Sequence, residues 1–126
     1  MKLLSFNIWG ATQGQVFFDY IKKQSESTDV FCFQEVFSAK EAAPKISSGG
    51  RMYLFQELQS LLADFNGFFT EKSKGYDFDG KVEFPVEHGL AVFVRKTIGP
   101  ASVEKLEVVP SLNEKDPIEG MVYCKF

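Results

Sequence analysis

Two polar residues stand where apolar runs give out. Asn7 closes "KLLSFN", and Glu35 follows Gln34 in "DVFCFQEVF" at residues 29–37. A carboxylate beside a carboxamide oxygen suits a hard cation such as Mg²⁺, which takes one or two protein carboxylates and keeps several waters. If the two runs are parallel neighbouring strands, both side chains emerge at one edge of the sheet, where open α/β sheets place ligands. From the pattern alone a second reading stands beside this one: a Glu or Asn at a strand end marks the return of the chain to water.

Other candidates compete. His88 is the only histidine, a side chain whose ordinary pKa suits acid–base work near neutrality. Its place ahead of "GLAVFVRK" reads as a loop, at most at the rim of a site. Asp77 and Asp79 in "GYDFDGK" offer oxygens, but Asp79-Gly80 reads more simply as a solvated turn. Asp64 and Asn66 in "ADFNG" read as polar residues ending a helix. The chain has no metal-spaced Cys/His set, nucleophile elbow or phosphate-binding glycine loop.

These residues need a frame. "KLLSFNIW" reads as a buried strand broken at Gly10, and "GQVFFDYIKKQSES" puts Phe17, Tyr20, Ile21 and Gln24 at helical spacing. "DVFCFQEV" is a second strand, rich in β-forming residues. The segment 10–28 is long enough for a helical crossover between parallel strands. A loop follows at 38–50. "RMYLFQELQSLLADF" then carries an apolar stripe of Leu54, Leu58, Leu61 and Phe65, widened by Met52, Phe55 and Leu62. "GFFTEKS", "GLAVFVRK", "SVEKLEVV" and "GMVYCKF" read as strands, with a long polar loop at 74–88. The order β-α-β, helix, further strands predicts a layered α/β domain.

The 126 residues suit a single domain, and 44% hydrophobic content with 14 Phe excludes a disordered chain. Net charge is −3, and the basic residues cluster no further than Lys22-Lys23 and Arg95-Lys96. That argues against tight binding of a polyanion and leaves a small phosphorylated substrate open. Cys32 and Cys124 fall in strand-like segments and read as reduced, buried thiols. "MKLLSF" does not develop into a signal peptide, and no run reaches the length of a membrane span. A cytoplasmic protein is expected.

"SFNIW", "FCFQEV" and "GLAVFVRK" in this order resemble the N-terminal part of the endonuclease/exonuclease/phosphatase superfamily, the DNase I-like enzymes. The resemblance implies a layered α/β sandwich and a metal-dependent phosphoester hydrolase: a phosphodiesterase, nuclease or phosphatase. It implies Glu35 as the carboxylate ligand of Mg²⁺ (or Mn²⁺), Asn7 beside it orienting the phosphate or completing the metal's surroundings, and Gln34 in support. The substrate would be a phosphoester, whether a small molecule, a lipid headgroup or a nucleic acid. The family's later Asn-x-His, Gly-Asp-Phe-Asn and Ser-Asp-His motifs do not follow. Residues 1–126 therefore read as one incomplete domain, its N-terminal half, lacking the C-terminal half as a partner and inactive or nearly so alone. The rival expectation is a non-catalytic module that binds a partner along an unpaired strand edge at "MVYCKF".

Overall fold

A computed structural model describes residues 1–41, 49–100, 102–109 and 119–126. Strand β1 (Leu3–Asn7) leads through a tight turn at Trp9–Ala11 into helix α1 (Gln15–Gln24) and then strand β2 (Val30–Ala39). β1 and β2 pair in parallel, Leu3 opposite Val30 through Asn7 opposite Gln34, so the β-α-β unit forms as the sequence implies. Helix α2 (Leu54–Leu61) follows, then strand β3 (Phe65–Lys74), a small hairpin of β4 (Tyr76–Asp77) and β5 (Gly80–Lys81), and strand β6 (Val86–Arg95). Strands β7 (Ser102–Val109) and β8 (Glu119–Lys125) pair with each other. The main sheet has the order β1-β2-β6-β3, with β6 antiparallel to both neighbours.

Alternation along the strands builds two layers on this sheet. Phe31, Phe33, Ala91, Phe93 and Phe65 face the helices, where they pack with Phe17, Ile21, Leu54, Leu58 and Leu62. Val30, Val92 and Val94 face the other way, and Cys32, Phe68, Val122 and Cys124 pack on them. One face thus carries rings under helices, and the other carries small branched side chains under β8. Each fully buried ring contributes about 2 kcal/mol or more to the core. Both cysteines are free and half-buried, and burial raises both thiol pKa values.

The end of the sheet away from Asn7 is tied by Arg95. Its Nη2 donates to the carbonyls of Ser25 and Thr28 at 2.5 and 2.6 Å, and its guanidinium lies 4.7 Å over the Phe65 ring. The backbone N–H of Arg95 donates to Asp29 O, and Asp29 Oδ2 accepts from the Lys2 N–H at 2.7 Å. These contacts hold β1, β2 and β6 in register at one end, which leaves irregularity to the other.

Several boundaries differ from the sequence reading. α2 stops at Leu61, and Phe65 and Asn66 open β3 rather than closing a helix. The tight carbonyl link from Leu62 to the Phe65 N–H at 2.9 Å makes that turn. The polar stretch at 74–88 is partly ordered: Asp77 Oδ1 accepts from the N–H groups of Asp79 and Gly80 at 2.8 and 2.9 Å, which forms the expected turn. Part of the loop expected at 38–50 lies outside the described residues. β8 is paired along one side by β7 and packs on the main sheet through Val122 and Cys124; among the described residues its other edge has no strand partner, in line with the edge expected at "MVYCKF".

Candidate metal and phosphate site

The largest departure concerns Glu35. β2 does not end there but continues to Ala39, and Glu35 is the extra residue of a β-bulge. Gln34 pairs with Leu90 and Val36 with Gly89, so Glu35 has no partner on β6. Its φ is +58, in the left-handed region. The bulge restarts the pleat one residue late. Phe31 and Phe33 face the helices, and without the bulge position 35 would follow them into that core. Val36 takes the place instead and is fully buried. A carboxylate in that core would carry a large desolvation penalty; the bulge removes it and aims Glu35 outward. Bulges recur next to active sites because they re-aim a side chain in this way.

A second bulge answers the first across β6. In β3, Glu71 pairs with Gly89 and Ser73 with His88, which leaves Lys72 as the extra residue. The two bulges close on Gly89 from either side. A Cβ there would stand 2.0 Å from the Thr70 carbonyl oxygen, so only glycine admits this approach. The result is a cleft of ≈ 300 Å³ walled by Asn7, Gln34, Glu35, Lys72, Ser73, His88, Gly89 and Leu90.

Each wall residue is positioned by its own element. Asn7 ends β1 opposite Gln34, and its Oδ1 accepts from the Trp9 N–H at 2.8 Å, which forms the turn after the strand. Gln34 Nε2 donates to Ser5 Oγ at 3.2 Å, which fixes the donor end of its amide on β1. Trp9, Gly10 and Ala11 all have positive φ, at 45, 56 and 53. For Trp9 and Ala11 this conformation costs about 1–3 kcal/mol each. The Gly10 carbonyl accepts from the Arg51 N–H at 2.9 Å, which helps hold the turn. Trp9 shares a second opening with Asn7 and Glu35.

His88 is not a solvated loop residue. It sits within β6, half-buried, with its ring centroid 4.7 Å from that of Phe37 and 5.8 Å from that of Phe78. Its Nε2 is buried without a hydrogen-bond partner among the described residues. Burial pushes its pKa below the usual 6.5; the Glu35 carboxylate opposes this and Lys72 adds to it. The imidazole is therefore neutral at pH 7. Because the unfolded chain binds the proton more readily, the stability from neutral His88 is complete above 6.5 and falls as pH drops from there towards the folded pKa. Urea denaturation at about pH 7.5 and about pH 5.5 should show a larger loss for the wild type than for His88→Phe, which keeps the ring packing and removes the titration. Equal losses would refute the shift.

The remaining candidates fall elsewhere. Asp77 is spent on its turn, and neither it nor Asp79, Asp64 or Asn66 lines the cleft. Lys72, Ser73 and the role of Trp9 had no signal in the sequence. Gly89 inside a strand pattern was the one clue to a bulge. A second cleft of similar volume lies between Ser38–Lys40 and Pro85–Glu87, but it contains none of Asn7, Glu35 or His88.

The residues present fit a hard divalent cation in one respect: one outward carboxylate lies beside two carboxamides. Among the described residues no group of three or more His, Cys, Asp and Glu gathers. A metal here would rest on Glu35, carboxamide oxygen and water, a set that suits Mg²⁺ and not Zn²⁺.

The two-layered α/β sheet, with its polar cleft at the strand ends, has a DNase I-like fold. Its fold is that of endonuclease/exonuclease/phosphatase proteins. One such structure, an endonuclease/exonuclease/phosphatase family protein from Leptotrichia buccalis C-1013-b, matches with a TM-score of 0.67 at 16% identity, over 97% of this chain and 47% of that one. Another, the endonuclease/exonuclease/phosphatase from Beutenbergia cavernae DSM 12333, matches with a TM-score of 0.59 at 22% identity, over 85% of this chain and 28% of that one. The chain thus spans less than half the length of either structure. No protein-family model matches the sequence, and no curated protein matches it significantly. Among the described residues no helix is long and apolar enough to cross a membrane.

Proposed function

We propose that this chain is the N-terminal half of a Mg²⁺-dependent phosphoester hydrolase, in which Glu35 holds the metal and Asn7 the phosphate beside it. The observation that carries the reading is the bulge that turns Glu35 out of a buried strand into the cleft shared with Asn7. A structural Glu would need no such device. When bound, the metal supplies charge stabilisation at a phosphoryl oxygen. Asn7, with Oδ1 committed to the Trp9 N–H, presents its amide N–H₂ as a donor to a phosphate oxygen. Gln34, anchored on Ser5, keeps the floor of the cleft polar and rigid. Lys72 brings a positive charge to the opposite wall, suited to a phosphate oxygen. His88, neutral and partly desolvated, can accept a proton from water or donate one at a single nitrogen. Mn²⁺ would serve in place of Mg²⁺. The complete reaction is assigned to the longer domain, with the protein in the cytoplasm.

The test is a Mg²⁺ titration of thermal stability on the full-length protein. A ligand of the native state alone at a hundredfold excess over Kd stabilises by about 2.7 kcal/mol. The wild type should gain stability with Mg²⁺ and Glu35→Ala should not. Equal responses would remove Glu35 from the metal.

A further inference from the structure

Metal and phosphate chemistry leaves Trp9 unused. It is the sole tryptophan of the chain, is 61% exposed, and pairs with no other described aromatic ring. A large apolar ring held in water on a left-handed backbone, φ +45, is costly twice over. Among the described residues nothing in the packing requires it, because the cores formed there close without it. Its backbone is held, the main-chain N–H donating to Asn7 Oδ1 at 2.8 Å, and with Asn7 and Glu35 it walls one opening.

We infer that Trp9 is a stacking platform for the nucleobase of a nucleotide substrate whose phosphate lies at Asn7 and Glu35, and that it sets a preference for base-bearing phosphoesters. This rests on the hydrolase reading above. Two peptide units separate Trp9 from Asn7, so their Cα atoms lie within about 7 Å, a separation one nucleotide can bridge. A single flat ring with an open face suits a base, which stacks through its own π-face. A quaternary ammonium is held instead by a cage of several rings, and Trp9 stands alone. The scattered basic residues, with no basic face, fit a nucleotide or short strand rather than a long duplex.

Trp9 is the one tryptophan of residues 1–126, and in the full-length protein the indole emission lost on Trp9→Phe reports it. Adenosine 5′-monophosphate and ribose 5-phosphate, which carry the same phosphate with and without a base, are titrated in the presence of Mg²⁺. The nucleotide should quench the emission and bind about tenfold or more tightly than the sugar phosphate. By calorimetry, Trp9→Phe should keep the preference and Trp9→Gly should erase it. Glycine accepts the positive φ freely, so that variant folds and its loss reads on binding. Equal binding of both probes without quenching overturns the stacking role and leaves the phosphate site standing. Binding of neither overturns both. Stronger quenching by phosphocholine than by the nucleotide makes the ring a cation site and overturns the proposal.

Discussion

Glu35→Gly is expected to lose metal-dependent phosphoester hydrolysis in the full-length protein, by on the order of a hundredfold to a thousandfold, while folding at least as stably as the wild type. The two effects separate because they have different origins. The loss comes from the carboxylate, the only one lining the cleft among the described residues. The stability comes from the backbone: Glu35 has φ +58, which glycine adopts without the side-chain clash. Relief of that strain is worth about 1 kcal/mol, against which the greater freedom of glycine in the unfolded chain counts by a similar amount. Glu35→Ala keeps the strain and should be the less stable of the two variants. Initial-rate assays with Mg²⁺ and urea denaturation of both variants check the pair. Activity within tenfold of the wild type would take Glu35 out of the chemistry. Loss of stability in the glycine variant would show that the side chain is structural.

Gly89→Ala should be destabilising by about 3 kcal/mol or more, at the upper end of overpacking effects. The added Cβ would meet the Thr70 carbonyl oxygen at 2.0 Å, the Thr70 carbonyl carbon at 2.9 Å and the Glu71 Cα at 3.0 Å. All three are backbone atoms of β3, so no rotamer change relieves the contact and the strand must shift. That shift opens the β3–β6 pairing where both bulges meet, and Glu35 and Lys72 move with it. The variant should therefore also lose the Mg²⁺ response in proportion. Gly75→Ala is the control. Its φ of +71 is unfavourable for alanine, but nothing lies within 4 Å of the new Cβ, and about 1 kcal/mol is expected. Urea midpoints compared across the three proteins decide it. Equal midpoints for the Gly89 and Gly75 variants would disprove the double-bulge geometry.

The bulges also explain how far the sequence could be read. Asn7 beside Gln34 follows from two apolar runs joined by a helix of crossover length, because parallel pairing and right-handed connection leave few alternatives. The motif order around them pointed to the fold that the structure has. The helical stripe marked Leu54 and Leu58 and the apolar run "VFCF" marked a buried strand, and Phe31, Phe33, Leu54 and Leu58 are fully buried. In each case the signal is local and periodic, which is what a sequence records well.

What the tertiary structure alone decided is the geometry of the cleft. A single extra residue in a strand leaves no periodic trace: "FQEVF" reads equally as a strand ending at Glu35 or one running through it. Only the partner strand distinguishes these, because Gly89 on β6 lets both neighbours bulge at one level. Lys72, Ser73 and His88 reach the cleft through long-range pairing, and the burial that lowers the His88 pKa comes from rings distant in sequence, Phe37 and Phe78. Amino-acid types determined that an acid and two amides were available on two neighbouring parallel strands. The pairing of β2 and β3 with β6 decided where the acid points, since the direction of a side chain at a bulge is set by backbone contacts between strands and not by the residues that precede it.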